Sequence, residues 1–369
     1  MKNTLTNLIP PNTNEIYVAL SGGADSTSAL WMAVETSIAL NIPCSAIHIN
    51  HNINKQSKAW EKHCEKLCLD FGIPLISHQV KFETSKNIEE KARNERYSFF
   101  EKTLNKNDIL VTGHNADDLS ETFLLMMTRG SGLRGLSAMG NIQKKNHYTL
   151  IRPLLDKTKK EILRDITGLG LGWVEDDSNQ DNTYDRNFIR NNVLPELAKN
   201  WGGINQQIAQ SAKQIFEANK YIEEKIYNDF SFIIDNDKLN CSELLKTNNF
   251  EQFEIIKMWV KKHSIIRPNK KLIKEIISSL AQTSTNREQA AKICIHNIEL
   301  RKFKNNIHII KKQKNNSLNN DLYVYKGNRK VFIKKFMSEL KIPYWERNNN
   351  ILETNNMEVV KIKGYWSKD

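Results

Sequence analysis

Residues 16–30 read Ile-Tyr-Val-Ala-Leu-Ser-Gly-Gly-Ala-Asp-Ser-Thr-Ser-Ala-Leu, and their order decides the fold. The apolar run 16–20, rich in β-branched and aromatic types, predicts a strand buried on both faces. Gly22 and Gly23 come directly after it and permit close backbone approach, so consecutive N–H groups can turn inward as a nest for an anion. From Asp25 onward Leu30, Val34 and Ile38 recur four apart, which predicts a helix whose positive N-terminus points at whatever the nest holds. Phosphate is the ligand that such a corner suits. The plainer reading is a tight βα turn capped by Asp25 or Ser26. Two common nucleotide loops are excluded, because the string contains neither G-x-x-x-x-G-K followed by Ser or Thr nor G-x-G-x-x-G.

Outward from this corner, strand-like runs at 16–20, 44–49, 75–80 and 108–112 alternate with helical patterns near 26–40, 57–71 and 88–104. That alternation predicts an α/β fold with a doubly wound parallel sheet, whose ligands sit at the carboxyl ends of the strands. After Pro195 the strand pattern stops. Residues from about 204 to 300 read as helical, with a stripe of Ile208, Ala212, Ile215, Ala218 and Ile222. The polar segment 311–321 reads as a linker into a small mixed α/β C-terminal domain. The expected division is 1–203 catalytic, 204–310 helical and 318–369 C-terminal.

The 369 residues carry 54 Lys and Arg against 42 Asp and Glu, a formal charge of +12. Residues 301–369 hold 16 of the basic and 6 of the acidic side chains, so most of the excess lies at one end. Compositional bias toward Lys and Asn supplies lysines anywhere; their concentration favours a polyanion-binding tail. Five irregularly spaced cysteines make no disulfide framework, and the C-x3-C spacing of Cys64 and Cys68 suits a helix face better than a metal knuckle. The absence of an apolar N-terminal core and of any membrane-length run leads to the expectation of a cytoplasmic protein.

Four strings carry chemistry. The second strand ends in AIHINHNIN, which brings His48 and His51 to the crevice either as hydrogen-bonding groups or as structural histidines; a third zinc ligand at sensible spacing is missing. The fourth strand leads into TGHNADDLSET, 112–122, where a helix starting near Asp117 places Asp118 and Glu121 on one face. Those carboxylates suit Mg²⁺ or proton acceptance beside a triphosphate, and D-x-x-E equally resembles a capping box. RGSGLRGL, 129–136, sets Arg129 and Arg134 among glycines, a surface for a phosphate backbone. EEKARNERY, 89–97, puts Arg93 and Arg96 on adjacent helical turns, where Glu89 and Glu90 are simple alternative partners.

SGGADS, 21–26, resembles the PP-loop of the N-type ATP pyrophosphatases, which cleave ATP between its α- and β-phosphates. Together with HINH at 48–51, EEKARNERY, TGHNADDLSET, RGSGLRGL, IRPLL at 151–155 and WVEDDSNQDNTYDRNFIRNNVLP at 173–195, it resembles the tRNA(Ile)-lysidine synthetases. The likeness is dense over the first 200 residues and returns at 332–352. It implies a ligase that adenylates the wobble cytidine of the isoleucine tRNA with a CAU anticodon and then joins L-lysine to C2 of that base, with ATP and Mg²⁺ as its requirements. By the same resemblance Ser21, Gly22, Gly23, Ala24, Asp25 and Ser26, with His48 and Gly113, face the nucleotide. Asp25 and Asp118 hold the metal, Asp118, Glu121 and Arg93 act in the chemistry, and Arg129, Arg134, Arg186 and Arg190 contact tRNA. Two departures stand out: Asn52-Ile53-Asn54 follows His51 where the family often has His-x-Leu-Arg, and the C-terminal module is short. A PP-loop tRNA thiolase, which needs cysteines at the strand ends, and a non-catalytic RNA-binding protein are the rival readings.

Overall fold

The computed structural model describes residues 3–50, 56–80, 88–175, 184–263, 268–281, 292–295, 298–311, 318–319, 321–327, 329–343, 345–347, 351–355 and 357–368. His51, the Asn52–Asn54 departure and residues 176–183 of the WVEDDSNQDNT string lie outside them. The chain forms two compact units, 1–220 and 221–369.

In the first unit the predicted alternation is realised as β1 (Ile16–Ala19), α1 (Ala24–Leu40), β2 (Cys44–Asn50), α2 (Ser57–Phe71), β3 (Leu75–Gln79), α3 (Ile88–Thr103), β4 (Ile109–Val111) and α4 (Ala116–Thr128). The short α5 (Leu133–Leu136), the hairpin β5 (Ile142–Lys144) and β6 (Thr149–Ile151), and α6 (Lys159–Gly168) follow. The sheet runs β3-β2-β1-β4-β6-β5, parallel throughout except for the β5–β6 pair. β1 therefore lies between β2 and β4, and the crevice at their carboxyl ends is the topological switch point.

The apolar run 16–20 explains why β1 is central. Ile16, Val18 and Leu20 enter a core with residues of α1, α2 and α6, while Tyr17 enters a second core with Phe100 and Leu104 on the other face of the sheet. Ile16 and Val18 are wholly buried, each contributing about 1.5–3 kcal/mol relative to exposure. A polar residue at either face would strand its hydrogen-bonding group in a core, so the strand reads as a continuous apolar run and not as an alternation. The chain continues through α7 (Asp185–Phe188), a π-turn at Ile189–Val193, α8 (Leu194–Asn200) and the long α9 (Ile204–Phe230). Ala212 of the expected stripe, with Ala209 beside it, packs with Ala116 and Leu119 of α4.

The second unit corrects the expectation of helix from about 204 to 300. After α9 come β7 (Ile234–Asp235), β8 (Lys238–Asn240), α10 (Cys241–Lys246), α11 (Asn249–His263), α12 (Lys270–Ile276), β9 (Lys292–Ile295), β10 (Ile298–Phe303) and β11 (Asn306–Lys311). The strands form a sheet in the order β7-β8-β11-β10-β9. The missed signal is period two: Ile293 and Ile295, then Ile298 and Leu300, are buried in one core with Trp259 while the residues between them face outward. A third sheet comprises β12 (Tyr323–Lys326), β13 (Arg329–Phe332), β14 (Leu352–Asn355), β15 (Glu358–Ile362) and β16 (Trp366–Ser367), packed with α13 (Ile333–Glu339). No helix among the described residues is long and apolar enough to cross a membrane.

Candidate active site

The corner after β1 is closed by its own side chains. Gly22 takes φ +86°, a left-handed conformation that favours glycine, and Gly23 is the N-cap of α1 in extended geometry. Ser26 Oγ accepts from the Ser21 amide at 3.2 Å, donates to Gly23 O at 2.9 Å and lies 3.1 Å from Ser21 Oγ. The segment after α6 crosses the loop, where the Val174 amide donates to Gly22 O at 2.9 Å. α1 has no side-chain cap, so its first amides remain available to an anion.

Three helix N-termini meet beside this loop. Asp25, in the first turn of α1, accepts from Asn115 Nδ2 at 3.0 Å and from Lys159 Nζ at 2.7 Å. Asn115 is the N-cap of α4, and Lys159 is the first residue of α6. Asp117 returns the link by accepting the Lys159 amide at 2.6 Å, and also accepts from Asn205 Nδ2. α4 and α6 are both capped by their own boxes, Asn115 with Asp118 and Thr158 with Glu161, which leaves α1 as the open end. Burial raises the carboxyl of Asp25 above its usual range; Lys159 and Asn115 oppose that, and the nearby charge of Asp118 adds to it. Lys159 is a functional candidate that the motif reading missed, and the T-x-x-E signature at 158–161 marked the helix start that places it.

The capping box at α4 is real but is shifted from the expected residues. Its members are Asn115 and Asp118: Asn115 Oδ1 accepts the Asp118 amide, and Asp118 Oδ2 accepts the Asn115 amide, both at 3.0 Å. Asp118 Oδ1 faces the other way and accepts from the Arg186 guanidinium at 2.8 Å. Glu121, 1% exposed, caps nothing; it accepts from Arg186 Nε at 2.8 Å and from Arg190 Nε at 2.6 Å. The fourfold spacing of the two arginines across the π-turn brings both onto the carboxylate pair.

A ring of positive charge surrounds His114, between β4 and α4. Desolvation, with Arg152, Arg186, Arg93 and Arg96 around it, holds its imidazolium down to about 3, so the ring is neutral at working pH. Its Nδ1 lies 2.9 Å from Thr112 Oγ1. Arg152 is 5% exposed and donates to Gly140 O at 2.9 Å and to Gln143 Oε1 at 3.0 Å, while its Nε has no hydrogen-bond partner among the described residues. Arg93 lies 5.2 Å from the centroid of the Tyr97 ring, with Lys145 Nζ at 4.8 Å from the same ring. Arg129 pairs with exposed Asp185 at 3.5 Å, and Arg134 lies in α5. His48 is buried behind the loop with Nδ1 2.9 Å from Leu20 O and 3.5 Å from Cys64 Sγ, bracing the end of β1. Burial pushes the thiols of Cys44 and Cys64 up to about 12 and that of Cys68 to about 11, which keeps them protonated and unreactive.

The glycines divide by what a side chain would meet. A Cβ on Gly113 would lie 2.6 Å from the Asp25 carbonyl carbon and oxygen, and one on Gly22 would lie 3.0 Å from Val174 Cγ2; one on Gly23 meets nothing closer than 3.7 Å. Gly113 therefore lets the end of β4 touch the first turn of α1 backbone to backbone. Gly113→Ala is expected to destabilise the protein by about 1–3 kcal/mol through overpacking, and Gly22→Ala by about 1–2 kcal/mol through its left-handed backbone. Gly23→Ala should melt with the parent in a thermal unfolding experiment, and equal losses at Gly22 and Gly23 would contradict this account of the corner.

A switch-point crevice with an uncapped α1 behind a Ser-Gly-Gly corner defines a PP-loop protein, and the PP-loop domain family matches residues 1–197. The tRNA(Ile)-lysidine synthase of Haemophilus ducreyi is 35% identical over 307 residues, covering 83% of this chain and 70% of that protein. That of Buchnera aphidicola subsp. Baizongia pistaciae is 31% identical over 367 residues, covering 96% and 82%. Among solved structures, the U34-tRNA thiolase NcsA from Methanococcus maripaludis aligns with a TM-score of 0.46 at 20% identity, covering 57% of this chain and 74% of that one. The chain belongs to the tRNA(Ile)-lysidine synthase family.

Proposed function

We propose that the chain is a cytoplasmic, ATP-dependent ligase that joins the ε-amino group of L-lysine to C2 of the wobble cytidine in tRNA(Ile) with a CAU anticodon, releasing AMP and pyrophosphate. One observation supports this above the others: the open N-terminus of α1, tied through Asp25 to α4, stands beside a carboxylate pair already bracketed by two arginines. An anion site next to a charged cluster is what adenylyl transfer followed by amine attack requires.

In this reading Ser21 to Ser26 and the α1 amides hold the β- and γ-phosphates, with Gly113 setting the loop spacing and His48 bracing it from behind. The C2 carbonyl of cytidine is a poor electrophile until its oxygen joins a good leaving group, so attack of that oxygen on the α-phosphate and loss of pyrophosphate come first. The lysine amine then adds at C2, and AMP departs with the oxygen. Asp118 is assigned to accept the proton that the attacking amine loses, Arg93 to stabilise the reacting tRNA, and Glu121 supports the site through its bonds to Arg186 and Arg190. The oxygen donors fit Mg²⁺: Asp25 and Asp118 are neighbouring carboxylates from two helix starts, and Mg²⁺ characteristically takes one or two carboxylates and completes its shell with phosphates and water. Bound there, the ion would neutralise phosphate charge. Arg129, Arg134, Arg186 and Arg190, the 204–310 segment and the basic 318–369 segment are assigned to tRNA contact. The thiolase alternative calls for a reactive thiol, and the three cysteines in the first unit are buried and protonated.

Omission tests the order. With ATP and cognate tRNA but without lysine, an adenylated tRNA is expected; later addition of labelled lysine should transfer label to the cytidine with release of AMP. Incorporation of lysine with no adenylated species under any condition would refute the sequence of steps, and no incorporation at all would refute the function.

A further inference from the structure

The hairpin β12–β13 has two different faces. Its register pairs Tyr323 with Phe332, Val324 with Val331 and Tyr325 with Lys330. Alternation sends Val324 and Val331 inward, where they pack with Ile333, Phe336 and Met337. Tyr323, Tyr325, Lys330 and Phe332 share the opposite face. On that face Tyr325 is 44% and Phe332 56% exposed. The rings of Tyr323 and Tyr325 meet edge to face with centroids 5.5 Å apart, and Lys330 Nζ lies 3.9 Å from the Tyr323 centroid and 5.8 Å from that of Phe332.

Charge narrows the choice of partner. Residues 322–338 carry five Lys and Arg and no Asp or Glu. Lys326 reaches exposed Glu339 at 3.3 Å, a pair worth little in water. Rings alone would suit any apolar surface, but rings interleaved with lysines suit a polyanion that also offers flat π-faces. A second copy of the same face would bring like charges together. Duplex RNA offers phosphates yet hides its base faces in the stack, whereas unpaired nucleotides offer both.

We infer that this face binds unpaired nucleotides of RNA, with bases stacked on Tyr325 and Phe332 and a phosphate against Lys330; the inference rests on the RNA substrate proposed above. It is tested on the full chain by fluorescence anisotropy with a labelled single-stranded oligoribonucleotide and a blunt RNA duplex of equal length. The parent should prefer the single strand. Tyr325→Ala with Phe332→Ala should weaken single-strand binding roughly 10- to 100-fold, as expected for lost base–aromatic stacking, without changing the slope of log affinity against log salt. Lys330→Gln should reduce that slope by about 0.7, one phosphate contact on a single strand. Tyr325→Phe with Phe332→Tyr keeps both rings and should keep parental affinity. All these side chains are exposed or half-buried, so a parental melting temperature checks that the variants fold. Parental affinity in the double Ala variant overturns the inference, as does equal loss on the duplex or a change in oligomeric state with RNA affinity untouched. Because the parent's lysidine formation is measured separately, a parent that makes lysidine while the double Ala variant binds normally refutes this face alone; a parent that makes none refutes the proposed function.

Discussion

Asp118→Asn is expected to lower lysidine formation by about 10²- to 10³-fold, the range for losing a single charged catalytic group, while shifting the melting temperature by only a few degrees. The geometry makes the test sharper than a plain charge removal. Each Asp118 oxygen has a separate task, Oδ2 taking the Asn115 amide and Oδ1 the Arg186 guanidinium. A carboxamide offers one acceptor and one donor, so the substituted side chain can keep the cap or face the arginine but not both. Losing half of the box costs about 1 kcal/mol, too little to unfold the domain, and the arginine then faces a neutral group. The stage of arrest separates the proposed roles. Adenylated tRNA that accumulates on a quench assay assigns Asp118 to activation of the lysine amine; arrest before adenylation assigns it to the phosphates and their Mg²⁺. Full activity would remove both roles and leave Asp118 as a capping residue.

Glu121→Gln should have the largest effect on stability, about 3 kcal/mol, read as a lower denaturant midpoint for unfolding of the first unit. Glu121 is almost wholly buried and receives three hydrogen bonds from two guanidinium groups. Burial alone works against the charge on Arg190, and the hydrogen bonds and charge of Glu121, with Asp118 behind it, more than offset that. Removing one partner of a buried pair leaves the remaining charges uncompensated. The arginine side chains are 29% and 35% exposed, so water relieves part of the loss and the value belongs at the low end of that range. Gln retains the shape, which excludes a cavity as the cause. An unchanged midpoint would mean that the cluster contributes nothing to the fold, and its arginines would then be held by other contacts.

The sequence alone determined the strand, the corner and the helix at 16–30, because the apolar run, the two glycines and the fourfold repeat are local signals whose physics is complete within fifteen residues. It also determined the strand–helix alternation through β4, since β1, β2 and β4 are largely buried; β3 is only partly buried, and the exposed β5 of the β5–β6 hairpin carried no such signal. The strands at 292–303 escaped notice: their alternation is short, and it acquires meaning only when β10 finds β9 and β11 beside it. Within the candidate site, the motifs named the chemistry-bearing residues without naming their partners. That Asn115 and not Glu121 completes the cap with Asp118, that Lys159 comes 134 positions along the chain to meet Asp25, and that Gly113 is small because Asp25's backbone lies against it are all decided by which helix ends the sheet brings together. Hydrogen bonds and ion pairs act over about 3 Å and carry no trace in a one-dimensional pattern when their partners are far apart in sequence. Only the tertiary structure, by packing α1, α4 and α6 on strands whose ends coincide, turns three separate helix starts into one charged crevice.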